Sequence, residues 1–437
     1  MKRLCVIMMA LLLLSCNQSS FEYVLPEGTY LEDIQEDYTQ KLIDSEHGWY
    51  MNYKFDKISF NILIRFKENG LCDILSDVDG YNFLDKDVRY KLAGLVHPEL
   101  QITSYSAFQK LYEFFPGSFE FVISENEDGT FKLKPVTGNT ASILLTEASS
   151  TQYEMVESHG EVIDIVNDFS QNATAYFKNF EADGVSAFLD LNLGARSIMF
   201  SWVDANDKVV NEERIFNYKI GGITLDAPVT INNKSFSYLN FGQYNTDELE
   251  VVDDNGGHIG RIYVSHVASI VFPHTADAYL YYGKPVQFWA YVGDNLELNY
   301  SPDLRVKWRE VMDVISPTMF RIQVYNNAAS GESIQFLCRP DGATSTWLRY
   351  NVKNYKMGED HVFVDVLGTH NTGLADQYKD LCYELLHLMF PPEGVTIMPY
   401  GRFGNGEQQF RIISRQNSRI YFTIRVGAGA PLDYSWD

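Results

Sequence analysis

From residue 48 onward, apolar residues fall mostly at every second position or in short runs. Gly, Asp and Asn bound them, and this pattern predicts β-strands joined by tight turns. Ile58–Phe66 and Leu71–Leu75 flank Glu68-Asn69-Gly70. Phe119–Ser124 and Thr130–Pro135 flank Asp128-Gly129, and Leu249–Asp253 and Ile259–Val264 flank Asn255-Gly256-Gly257. Asn-Gly and Asp-Gly adopt positive φ with little strain, so each pair reads as a hairpin. Further strands are predicted at 185–192, 197–203, 319–325, 333–338, 347–355, 361–367, 395–400, 408–415 and 419–426. Helical spacing is confined to a few places. Leu31 to Ser45 puts Leu31, Ile34, Tyr38, Leu42 and Ile43 on one side, and 107–114, 161–169 and 303–315 follow. The helix over 376–390 stops at Pro391-Pro392.

One short pattern is written three times. Asn217-Tyr218-Lys219-Ile220-Gly221 reappears as Asn354-Tyr355-Lys356-Met357-Gly358 and more loosely as Arg89-Tyr90-Lys91-Leu92-Ala93. The tyrosines follow Asp77, Asp204 and Asp341 by 13, 14 and 14 residues. Near-equal spacing of this kind indicates a repeated unit. The fold expected is mainly β with a few helices: three tandem antiparallel meanders, barrel- or sandwich-like, each preceded by a helix. The expected units span 28–150, 151–300 and 301–437, with short linkers around Ala148–Glu154 and Asp294–Pro302. Each repeated Tyr is expected in the core or closing a barrel, and each Lys in solvent.

The first residues have another character. Lys2 and Arg3 precede eleven apolar residues, Leu4 to Leu14, too short a run to cross a bilayer and right for a signal segment. The run ends in Leu13-Leu14-Ser15-Cys16, which resembles a bacterial lipobox. Residues 1–15 would then be a lipoprotein signal peptide, Cys16 the lipid anchor and 16–27 a tether. Several acyl chains hold a protein stably where one would not. The expected location is the outer membrane, with display on the surface or on the periplasmic side left open.

Composition narrows the partners. The net charge of −23 becomes −25 once Lys2 and Arg3 leave with the signal peptide. No basic stripe offsets it, so nucleic acid is excluded as a partner, and direct adhesion to anionic headgroups is disfavoured. Cys72, Cys338 and Cys382 match no metal-knuckle spacing and read as small buried hydrophobes, although one oxidised pair stays open.

The residues carry no catalytic set and imply no cofactor. Glu384-Leu385-Leu386-His387 places a carboxylate and an imidazole on one helical face, half of a di-iron motif without a second copy. His258, His266 and His274 recur every eight residues, yet Pro273 interrupts them and no fixed carboxylate accompanies them. Asp77-Val78-Asp79-Gly80 has its Gly two places too early for a calcium loop and is read as a turn.

Gly48-Trp49, the hairpin from Ile58 to Leu75, Tyr90, Leu100 to Tyr105 and Gly117-Ser118-Phe119-Glu120-Phe121-Val122-Ile123 resemble the Bacteroidetes lipoproteins that carry domain of unknown function 4302. That resemblance implies a cell-envelope lipoprotein acting near outer-membrane nutrient importers, and it brings no catalytic residues. The function expected is a non-enzymatic binding or accessory role in uptake of glycan or peptide. A structural or adhesive spacer is the alternative, and a hydrolase with an unrecognised site is the third. A concave cleft lined by tryptophan would favour binding, and smooth convex units the spacer.

Overall fold

The computed structural model describes residues 30–78, 83–137, 141–171, 173–280, 286–291, 300–315, 321–326, 331–340, 342, 344–370, 373–402 and 408–426. The expected lipid anchor Cys16 lies outside them, as do Asp79, Gly80 and Asp341. The chain is mainly β and divides into two compact units, 1–157 and 158–437. Among the described residues, the sheets are antiparallel meanders of eight strands.

The first unit holds one ring, from Trp49–Phe55 round to Ile143–Glu147, closed by the pairs Trp49 with Glu147 and Tyr50 with Thr146. Asn69 and Gly70 take φ of 63° and 70° at the turn between its second and third strands, the left-handed region that Asn and Gly tolerate best. An eight-stranded ring has an interior only wide enough for side chains. Here Tyr53, Phe60, Ile62, Cys72, Phe121 and Phe131 fill it. The helix Leu31–Ile43 closes one mouth by burying Tyr38 and Leu42, and Trp49 Nε1 donates to the Leu42 carbonyl at 3.0 Å.

The second unit holds two rings. In the first of these, from Phe177–Ala182 round to His258–Ser265, the end strands meet over six pairs, from Gly260 with Ala182 to Ser265 with Phe177. Val166 and Phe169, from the helix Ser150–Gln171, point at a remaining void of only about 20 Å³ among Leu189, Ile198, Phe216 and Ile223. The third ring runs from Val286–Tyr291 to Tyr421–Val426 and has two narrow seams. Its end strands meet at Phe288 with Val426 and Trp289 with Arg425. Its fifth and sixth strands meet at His361 with Thr396 and Val362 with Val395, where the helices Leu374–Gln377 and Lys379–Met389 are inserted. Trp308 and Leu304, from the helix Pro302–Ile315, join Cys382, Leu385 and Leu386 in its core.

Several expectations need correction. The stretch 148–154 is no linker: the helix expected from 161 begins at Ser150. The third ring opens at Val286, ahead of residue 301. The helix Pro302–Ile315 follows its first strand, and the short helix Thr275–Leu280 is the one that precedes the ring. The helices 107–114 and 379–389 do occupy matching places, between the fifth and sixth strands of their rings.

Tyr90, Tyr218 and Tyr355 all lie in the fourth strand of a ring: Leu84–Ala93, Val209–Lys219 and Thr346–Lys356. Tyr90 and Tyr218 are buried as expected. Tyr355 is 37% exposed and stacks on Phe363. It lies an odd number of residues from the buried Val352, and an odd offset along a strand changes the face. Tyr350 takes the core place instead, donating its hydroxyl to the Ala375 carbonyl at 3.2 Å. The lysines meet the expectation only in part. Lys91 is exposed, whereas Lys219 donates to Asn240 Oδ1 over the Tyr238 ring, and Lys356 is ion-paired.

Candidate functional site

Alternation along Gln408–Ser414 sends Phe410 and Ile412 into the third ring and leaves Arg411 and Ile413 on its outer face. Ile413 is nonetheless fully buried. It packs with Met398 of the same ring and with Phe177, Phe188, Ile270 and Phe272, from the second ring and the segment after it. This apolar contact excludes water from the neighbouring Arg411, which is only 6% exposed.

A buried guanidinium costs several kcal/mol unless its charge and its donors are answered. Arg411 is answered by aromatic groups. Its Nη1 donates to the Tyr176 hydroxyl at 2.7 Å and its Nε to Thr423 Oγ1 at 3.4 Å. Its central carbon lies 3.5 Å from the Tyr400 ring centroid, 4.7 Å from that of Tyr421 and 5.6 Å from that of Tyr176. Cation–π contacts of this kind contribute on the order of 1 kcal/mol each. Among the described residues no carboxylate comes within ion-pair distance of Arg411. Burial pushes the Tyr176 hydroxyl well above its ordinary range, against the pull of Arg411, so it stays a neutral hydrogen-bonding group.

Arg411, Tyr176 and Tyr421 line a cavity of about 400 Å³, together with Lys178 and Asp190. Burial lowers the Lys178 ammonium below its usual range, while Asp190 pulls the other way. A neighbouring cavity of about 370 Å³ contains Tyr400, Met398, Asn192, Asn211 and Glu213, and Asp190 borders this one as well. Both cavities fall within the size range of small-molecule sites. At the rim Arg419 and Asp303 neutralise each other at 2.9 Å.

The candidates raised from the sequence do not converge. Glu384 accepts from Lys307 at 2.7 Å on an exposed helical face, and His387 lies beside Tyr383. His258 pairs with Glu250 and His266 with Ser418. His274 does gather with Asp277 and Glu359, whose ligating atoms all lie within 4.8 Å. The Lys356 ammonium already stands there, 2.7 Å from Asp277 and 3.3 Å from Glu359. The His274 amide and then Lys356 hold the Glu359 carboxyl below its ordinary range, so both carboxylates already have a cationic partner. Asp77 is a buried acceptor for the amide and side chain of Asn61, at 2.9 and 2.8 Å. Cys72, Cys338 and Cys382 are free and buried. Trp49, Trp202 and Trp308 are core residues, and the cleft is lined by tyrosine instead.

Residues 31–243 match the family model of a domain of unknown function, DUF4302. The DUF4302 region takes in the whole first ring and reaches the sixth strand of the second. Tyr176, Lys178 and Asp190 therefore lie inside it, and Tyr400, Arg411 and Tyr421 beyond it. No curated protein matches the chain. Sequence reasoning missed all six of these residues. An arginine between Phe410 and Ile412 carries the ordinary signature of a solvent-facing strand position, and only the packing of one ring on the next reverses it.

Proposed function

We propose that this chain is a non-enzymatic binding protein of the cell envelope, anchored through lipid on Cys16. In this reading it holds a small ligand derived from glycan or peptide and serves an outer-membrane nutrient importer. The observation that supports it is the cleft of the second unit. There a buried cation without a carboxylate partner among the described residues faces a cavity of ligand size. Among the described residues, the void inside the second ring measures only about 20 Å³. The leader and the DUF4302 match agree with the reading and carry less of it.

The test is growth of a deletion strain on a panel of polysaccharides and proteins as sole carbon sources. Slower growth on at least one is expected, restored by the wild-type gene and not by Cys16→Ser. Fatty-acid labelling should mark the wild-type protein and spare that variant. Unchanged growth on every source would refute the reading, and unlabelled wild-type protein would refute the anchor.

A further inference from the structure

The cleft also carries information about the charge of what it receives. Its wall holds Arg411 and Lys178 against Asp190, because Arg419 and Asp303 cancel each other at the rim. Among the described residues none of those three is ion-paired. This local excess of positive charge sits in a chain of net charge −23. Over distances beyond a Debye length, about 8 Å at physiological salt, the acidic surface repels polyanions. Inside the cleft the two near cations dominate, and low dielectric strengthens their pull. Arg411 spends Nη1 on Tyr176 and Nε on Thr423, which leaves Nη2 donors for a guest. An acceptor of compact negative charge suits those donors, and charge-assisted bonds of this type are the stronger class.

We infer that the cavity bordered by Arg411, Lys178 and Asp190 receives the carboxylate of a small ligand, held by the two cations, with Asp190 accepting from the ligand's hydroxyl or ammonium groups. The inference deepens the binding reading above and rests on it. Two sources offer this chemistry, an acidic sugar or a peptide C-terminus.

Calorimetric titration of the full-length protein in detergent separates them, using galacturonate against galactose and Ala-Ala against its C-terminal amide. In at least one pair the carboxylate form should bind tenfold or more tightly than its neutral counterpart, since a hydrogen bond to a charged group is worth about that factor or more. Arg411→Gln should abolish the preference, and Lys178→Gln should reduce it several-fold with the melting temperature kept. Equal binding within both pairs overturns the inference. So does an unchanged preference in folded Arg411→Gln or, should that variant fail to fold, in Lys178→Gln. A growth defect without any carboxylate preference overturns this ligand class alone. A carboxylate preference without a growth defect supports the ligand class and counts against the uptake role.

Discussion

Gly260 allows the seam of the second ring to be tested by a single methyl group. It sits in the last strand opposite Ala182 of the first. A Cβ built on it would lie 2.1 Å from the Glu181 carbonyl oxygen and 2.5 Å from the Ala182 Cα, against an ordinary contact of 3.4 to 4 Å. Both obstacles are backbone, so no rotamer change relieves the clash, and the strands must part. Overpacking costs typically about 1–3 kcal/mol. With two backbone atoms in the way we take the upper end, about 3 kcal/mol. Gly194 provides the control. It is exposed, and its added Cβ meets only Asn192 Oδ1, at 3.8 Å. There Gly→Ala should stabilise by roughly 0.4–1 kcal/mol, because the unfolded chain loses freedom. Hydrogen exchange followed by mass spectrometry reads each ring separately, and about 1.4 kcal/mol is a tenfold change in an opening equilibrium. Peptides from 177–265 should therefore lose protection by about a hundredfold in Gly260→Ala and keep or gain it in Gly194→Ala. Unchanged protection in a folded Gly260→Ala protein would refute the closed seam.

Three further outcomes are expected. Tyr218→Ala should destabilise the second unit by about 3–5 kcal/mol, as truncation of a buried aromatic does, whereas Tyr355→Ala should cost well under 1 kcal/mol; chemical denaturation of the two variants compares them. Burial pushes the thiols of Cys72 and Cys382 up to about 12 and that of Cys338 to about 11, from an ordinary value of 9.0. The folded state thus favours neutral thiols, so this contribution to stability is complete below pH 9 and lost progressively toward pH 11–12. Maleimide labelling of the native protein at pH 8 should be about a hundredfold or more slower than of the unfolded chain. Finally, micromolar zinc should leave the melting temperature unchanged, because Lys356 already occupies the space among His274, Asp277 and Glu359; a rise would show a usable metal site.

Local features of the fold were legible and distant ones were not. Asn69-Gly70 and Asp128-Gly129 declare their turns through backbone preference alone, and Pro391-Pro392 stops a helix wherever it falls. The triple Tyr pattern located the fourth strand of every ring. It could not reveal that Tyr355 faces outward, since the face depends on the register of the whole strand. The helix at 150–160 escaped because its polar residues, Ser150 to Glu154, look like a linker until the apolar Val162, Ile163 and Val166 continue the same turns. The cleft was beyond reach for a different reason. Tyr176 and Arg411 are 235 residues apart, and their contact exists only because one ring packs on another.

Each ring is sealed by joining its first strand to its last, and this constrains synthesis. Until the strand at 258–265 leaves the ribosome, the strand at 177–182 has an unpaired edge open to any other nascent chain. The same holds for 286–291, which must wait for 421–426, well over a hundred residues later. The third ring therefore spends longest half-built. Slow translation or loss of a holding chaperone should show itself first as aggregation seeded there.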